Sequence, residues 1–243
     1  MIKVDTKEEV PTYLGTKILK GYHYYSIKAL SMIMQFLPKE GNFLDIMSGT
    51  GSSGRIKELG FEGTLYSNDQ IKWEGDICEH VDYWSYEDAQ NTSYHDNYFD
   101  IVLLNPPRGE VPEEIANKNT FDARVPLKEG FVDKVCITYT GLYGKPLPNS
   151  NLCAKDTKNP YYYEVFDNVM DEISRILKPN GLFVFCYNRN RYKKMRFDEF
   201  IDNKKLPDNF HLIEEESMLY VDDEMGRFQS GNIEFYVKIY KNV

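Results

Sequence analysis

The sequence predicts an α/β fold: a doubly wound, mostly parallel sheet with helices on both faces. Three observations predict it. From about residue 24 onward, helix-like and strand-like segments alternate, as in successive β-α-β units. A glycine-rich turn, Asp45 to Gly54, lies where a strand runs into a helix. Two extended segments, Phe210 to Tyr220 and Ile233 to Tyr240, flank a polar turn and read as an antiparallel pair.

Each element follows from local pattern. Tyr24 to Leu37 carries Tyr24, Ile27, Leu30, Ile33, Met34 and Leu37 at helical spacing, and Pro38 ends it. Asn42 to Ile46 is a short buried strand. Ser52 to Leu59 reads as a helix closed by Gly60, and Thr64 to Asn68 as the second strand. Tyr83 to Tyr86 is the third, with a helix expected before it. Phe99 to Leu104 is a central strand stopped by Pro106 and Pro107. Tyr161 to Leu177 is an amphipathic helix ended by Lys178-Pro-Asn-Gly181, and Leu182 to Tyr187 is a further strand.

A chain of 243 residues fits a single domain, 1–243, with an N-terminal arm at 1–22 and an irregular insertion at about 108–160. So long an irregular stretch either carries function, as in shaping a substrate site, or is disordered. No run of about 18 apolar residues occurs, which excludes a membrane-spanning helix. The polar start, Met1-Ile-Lys-Val-Asp5, is unlike a secretory leader. Cys78, Cys136, Cys153 and Cys186 form no CxxC pair; they read as reduced thiols of a cytoplasmic protein, and no metal site is expected. The net charge of −9 argues against a broad basic face for nucleic acid, though not against a local one.

In the turn Asp45-Ile-Met-Ser-Gly49-Thr-Gly51-Ser-Ser-Gly54, the glycines allow a tight bend and close approach of a ligand to the backbone. Gly49 to Gly54 also fits the dinucleotide fingerprint GxGxxG, with Asp69 as a ribose ligand. Asp45 can order the loop or face a ligand's charged amino group. Asp69, at the end of the second strand, can accept from two ribose hydroxyls. Asp88, after the third strand, can accept from an adenine amino group while the Ala89 N–H meets a ring nitrogen.

These residues together resemble the class I S-adenosylmethionine-dependent methyltransferases. "LDIMSGTGSSG" is similar to their first motif, "YSND" to the second, and "EDAQNTSYHDNYFDIVLLN" to the third and fourth in register. Gly75-Asp76-Ile77 rivals the third motif, but Asp76 follows Asp69 too closely to leave room for a helix. The resemblance covers roughly residues 20–107 and 161–240. It implies a Rossmann-like, doubly wound, mostly parallel seven-stranded sheet with an antiparallel C-terminal strand. It also implies S-adenosyl-L-methionine as cofactor, held by Asp45, Met47, Ser48, Gly49, Gly51, Asp69, Gln70, Asp88, Ala89 and Asn105.

Asn105-Pro106-Pro107-Arg108 follows the central strand, at the sheet edge where ligands bind. Two prolines fix the backbone there, so the Asn105 amide oxygen and the Pro106 carbonyl can both accept from one planar amino group. That directs its lone pair toward an electrophilic methyl by positioning alone, without a general base. The four residues are the candidate catalytic set. They resemble the (N/D/S)PP(Y/F/W) motif of amino-methyltransferases acting on adenine, cytosine or glutamine nitrogens. Arg108 departs from the aromatic that stacks on the flipped base in the DNA enzymes, although a guanidinium can also stack. "YHYYSIK" (Tyr22 to Lys28) resembles the segment preceding the first motif in some DNA amino-methyltransferases. "ITYTGLYGKPLPNSN" is similar to a stretch of bacterial and phage DNA methylase-like proteins, which implies Thr138, Tyr139, Gly144, Lys145 and Pro146 near the substrate.

The basic stretch Asn188 to Arg196 offers Arg189 and Arg191 as phosphate contacts; a solvated helix face is the alternative reading. The expected activity is methylation of an exocyclic amine of adenine or cytosine in DNA. RNA or a protein glutamine is the alternative acceptor. A nicotinamide-dependent oxidoreductase and a non-catalytic binding module are further readings.

Overall fold

The computed structural model describes residues 9–13, 16–19, 25, 27–49, 51–69, 78–106, 160–190, 196–219 and 233–243. The insertion at about 108–160, with Pro107, Arg108, Tyr139 and Lys145, lies outside them, as do Gln70 and Arg191. The helix expected between the second and third strands falls largely on 70–77, outside them too.

In chain order the elements are β1 (Glu9–Tyr13), β2 (Thr16–Leu19), α1 (Ile27–Met34), β3 (Asn42–Asp45), a 3₁₀ helix (Ser52–Leu59), β4 (Thr64–Asn68), β5 (Tyr83–Ser85) and β6 (Phe99–Leu104). They continue with α2 (Pro160–Ile176), β7 (Leu177–Asn190), α3 (Arg196–Asn203), β8 (Phe210–Leu219) and β9 (Ile233–Asn242). Strands β1 and β2 form a separate antiparallel pair within the expected arm.

The other seven strands form one sheet in the order β5-β4-β3-β6-β7-β9-β8. Strands β5, β4, β3, β6 and β7 run parallel, and β9 runs antiparallel to both β7 and β8. The predicted fold class is therefore the observed one. The order reverses direction between β3 and β6, which makes that crevice the topological switch point.

Both faces of the sheet are covered, and the strand sequences show why. Successive side chains point to opposite faces, yet Phe43-Leu44 and Ile101-Val102-Leu103-Leu104 are apolar throughout. Leu44, Val102, Leu104, Phe183 and Phe185 pack with Phe166, Val169, Met170 and Ile173 of α2 and Phe200 of α3. Phe43, Ile101, Leu103, Val184 and Cys186 pack on the other side with Ala29, Leu30 and Ile33 of α1 and Ile56 of the 3₁₀ helix. Near-continuous apolar runs are what a doubly covered parallel sheet requires.

Two elements differ from the sequence expectation. The turn after the glycine loop is wound as 3₁₀ rather than α, bounded by Gly51 (φ 74°) and Gly60 (φ 93°), both left-handed. Strand β7 starts at Leu177, not Leu182. Its register jumps from Phe99↔Leu177 to Ile101↔Leu182, so the Lys178–Gly181 turn, with Asn180 at φ 66°, bulges from the strand instead of preceding it.

Candidate active site

The carboxyl ends of β3, β4, β5 and β6 share one sheet edge, and Asp45, Asp69, Asp88 and Asn105 of the predicted site residues leave from it. Asp45 ends β3; its register partners are Ser67 on β4 and Leu103 on β6. It is 1% exposed, and among the described residues neither carboxylate oxygen has a hydrogen-bond partner. Burial pushes this carboxyl up to about 7, and the nearby Asp69 charge adds to the rise. The Ser53 hydroxyl and Met47 amide pull the other way, close by but off hydrogen-bond geometry. A buried acid in this condition is costly unless a ligand meets it.

Asn105 sits on the other side of the switch point, one residue beyond β6. It is also buried, and its Nδ2 has no hydrogen-bond partner among the described residues. Pro106 is buried beside it. The Ile46 N–H donates to the Leu103 carbonyl at 3.1 Å, tying the start of the glycine loop to β6 just before Asn105. Adjacent strand ends thus carry three buried polar atoms, Asp45 Oδ1, Asp45 Oδ2 and Asn105 Nδ2, that are unpaired among the described residues.

The glycine loop is held from the β4 side. Ser48 donates its N–H (3.0 Å) and its hydroxyl (3.2 Å) to the Asn68 carbonyl, and the Gly49 N–H donates to Asp69 Oδ2 at 2.8 Å. Gly49 takes φ 56°, and Gly51 lies against Trp84 of β5. Asp69 is buried at the end of β4, its N–H bonded to the Ser85 carbonyl at 3.2 Å.

Asp88 is half-buried and caps its own turn. Its Oδ1 accepts from the Gln90 backbone N–H (3.0 Å), and both carboxylate oxygens lie 3.2 Å from Gln90 Nε2. Ala89 is buried beside it. The loop carrying both is fastened from below: Thr92 donates its N–H to Glu172 Oε1 at 2.8 Å, and Arg175 reaches Glu172, Asp96 and the Tyr94 and Thr92 carbonyls. Burial alone would raise Glu172, but these donors hold it below the usual carboxylate range.

Arg189 is engaged within the protein. Its guanidinium pairs with Asp202 of α3 and stands over the stacked rings of Tyr187 and Tyr236, 5.1 and 4.9 Å from their centroids. Sequence reasoning missed Asn68 and Trp84. Strand β4, Thr64-Leu-Tyr-Ser-Asn68, already carries Thr64 and Ser67, so no local pattern sets Asn68 apart.

No protein-family model matches the chain, and no curated protein matches it. Among solved structures, it is similar to the N-methyltransferase NodS from Bradyrhizobium japonicum, with 12% identity over 88% of this chain and 94% of that one and a TM-score of 0.45. A SAM-dependent methyltransferase from Methanosarcina mazei shares 12% identity over 87% and 97%, with a TM-score of 0.46. The geranyl diphosphate C-methyltransferase from Streptomyces coelicolor shares 10% identity over 89% and 80%, also with 0.46; that protein was crystallised with S-adenosyl-L-homocysteine. The fold class of the present chain stands on its own strand order: a Rossmann-like α/β protein with its polar residues gathered at the switch point.

Proposed function

We propose that this protein is an S-adenosylmethionine-dependent methyltransferase acting on an exocyclic amine of adenine or cytosine in DNA. One observation carries the reading. Asp45 and Asn105 are both buried at adjacent strand ends on either side of the switch point, and among the described residues both Asp45 carboxylate oxygens and the Asn105 Nδ2 have no hydrogen-bond partner. Buried polar groups are normally paired, so this pair fits a bound ligand better than an internal brace.

The residues present suit the cofactor. Asp45 would face its cationic amino group, Asp69 its ribose hydroxyls, and the Gly49–Gly51 backbone its closest approach. Asp88 and Ala89 would meet the adenine edge, with Met47, Ser48 and Gln70 completing the pocket. When bound, S-adenosylmethionine supplies an electrophilic methyl group on a sulfonium sulfur. Asn105 and Pro106 then hold the acceptor amine so that its lone pair points along the line of transfer, with Pro107 fixing the turn and Arg108 beside the acceptor. Tyr139, Lys145, Arg189 and Arg191 are the proposed substrate contacts.

A second reading keeps the chemistry and changes the acceptor to RNA or a protein glutamine. The net charge of −9 and the Arg189–Asp202 pair favour the protein acceptor within it, since both weaken attraction to any phosphate backbone. The deciding experiment offers labelled S-adenosylmethionine with unmethylated DNA, total RNA and a protein extract in parallel. Label in DNA, assigned to a base after digestion to nucleosides, is the expected result. Label confined to RNA or protein would replace the DNA reading with the second one.

A further inference from the structure

Asn68 ends β4, between the buried strand and Asp69, and is fully buried. Its Nδ2 donates to the Ile46 carbonyl at 3.2 Å and to the Glu87 carbonyl at 3.0 Å. Its Oδ1 accepts the Glu87 N–H at 2.9 Å and the Ser85 hydroxyl at 2.8 Å. A primary amide has two donor hydrogens and two acceptor lone pairs, and here all four are used. Its backbone carbonyl takes the Ser48 N–H and hydroxyl as well.

Every one of those partners lies at the functional edge. Ile46 and Ser48 flank Met47 in the loop after Asp45, Ser85 ends β5, and Glu87 precedes Asp88. One side chain therefore ties together the loops that carry three acids, Asp45, Asp69 and Asp88, across three adjacent strands. No other side chain makes this pattern. Aspartate keeps the acceptors but turns both donors into oxygens facing carbonyls. Glutamine is a methylene too long for a fully buried position, and alanine leaves the Ile46 and Glu87 carbonyls and the Glu87 N–H unsatisfied.

We infer that Asn68 is the positioning residue of the cofactor pocket, setting the spacing of Asp45, Asp69 and Asp88 without touching the cofactor itself. The inference rests on the cofactor reading above. It differs from a purely structural role in what it affects: loosening the amide changes ligand affinity in a protein that is still folded.

The test compares Asn68→Asp with a matched buried amide at the opposite end of the sheet. Asn242 donates to the Leu177 and Lys178 carbonyls at 3.0 and 3.2 Å and accepts from Asn209 at 2.6 Å, far from the site edge. S-adenosylhomocysteine is titrated calorimetrically into the wild type, Asn68→Asp and Asn242→Asp, at a temperature where circular dichroism shows all three folded. Asn68→Asp is expected to raise Kd by about tenfold or more, and Asn242→Asp, though less stable, to stay within about twofold. If Asn68→Asp does not fold, Ser85→Ala decides, with a rise of about threefold expected from the loss of one of the four bonds. It is set against Tyr94→Phe, which removes only the 2.7 Å Ser85–Tyr94 hydroxyl contact and should leave Kd within about twofold. Wild-type binding with unchanged Kd in the deciding variant overturns the inference alone. Failure of the wild type to bind overturns the cofactor reading and takes the inference with it.

Discussion

The backbone N–H of Gly49 donates to the carboxylate of Asp69 at 2.8 Å, joining the glycine loop to the end of the neighbouring strand. The acid expected to meet a ribose thus already has one oxygen turned to the loop that would lie beneath the ligand. Asp69→Ala should remove both the loop tether and the ribose acceptor, raising the Kd for S-adenosylhomocysteine about tenfold or more. Asp69→Asn, which keeps an acceptor oxygen for Gly49, should lose less. Isothermal titration of both variants settles it; wild-type affinity in Asp69→Ala would rule out the ribose contact.

Asp45 makes stability depend on pH in an unusual direction. Its folded value is about 7 against an ordinary 3.8. Between the two, the unfolded chain releases the proton and the fold keeps it, so the folded state binds more protons and stability falls as pH rises from about 4 to 7. The separation corresponds to about 4 kcal/mol at most. Asp45→Asn, uncharged throughout, should flatten that slope and melt higher than the wild type at pH 8, while binding cofactor more weakly. Urea midpoints measured across pH 4 to 8 give the comparison, and parallel profiles would remove Asp45 from the account.

Asn105→Ala separates catalysis from binding. The amide is expected to hold the acceptor, so methyl transfer should fall by about two orders of magnitude or more, with cofactor Kd nearly unchanged. Among the described residues, the Nδ2 it removes has no hydrogen-bond partner to lose. Full activity in this variant would refute the assigned role.

The two left-handed glycines of the loop should respond differently to alanine. A Cβ on Gly51 would stand 2.8 Å from the Trp84 ring and 3.0 Å from Val81, whereas one on Gly49 would meet nothing within 4 Å. Both substitutions incur the left-handed cost of about 1–2 kcal/mol. Gly51→Ala adds a collision with a ring packed in place, and should lower Tm clearly more than Gly49→Ala. Equal losses on thermal melting would mean that Trp84 swings aside freely.

Much of this architecture was legible in the sequence, for reasons that differ by element. Strands β3 and β6 showed themselves because burial on both faces demands unbroken apolar runs, and α2 because only one of its faces is covered. The bulge at Lys178–Gly181 did not show, since Pro, Asn and Gly after a helix read equally as its end. The 3₁₀ winding of Ser52–Leu59 was likewise hidden behind an ordinary helical pattern. At the site, composition and spacing pointed to Asp45, Asp69 and Asn105, but whether their polar atoms are paired depends on atoms dozens of residues away. Asn68 is the sharpest case: its side-chain partners lie 17 to 22 positions off in the chain, and two of the four are backbone carbonyls, which leave no mark on residue identity.

The placement of β9 between β7 and β8 has a bearing on how the protein is made. A ribosome delivers Phe210–Leu219 before Ile233–Asn242, yet the earlier segment joins the sheet only through the later one. Once paired, β8 still forms the sheet edge, and Leu212, Ile213 and Leu219 stay exposed on it. The Glu214-Glu215-Glu216 run in its middle sets like charges along that edge, which disfavours its pairing with the same edge of a second molecule.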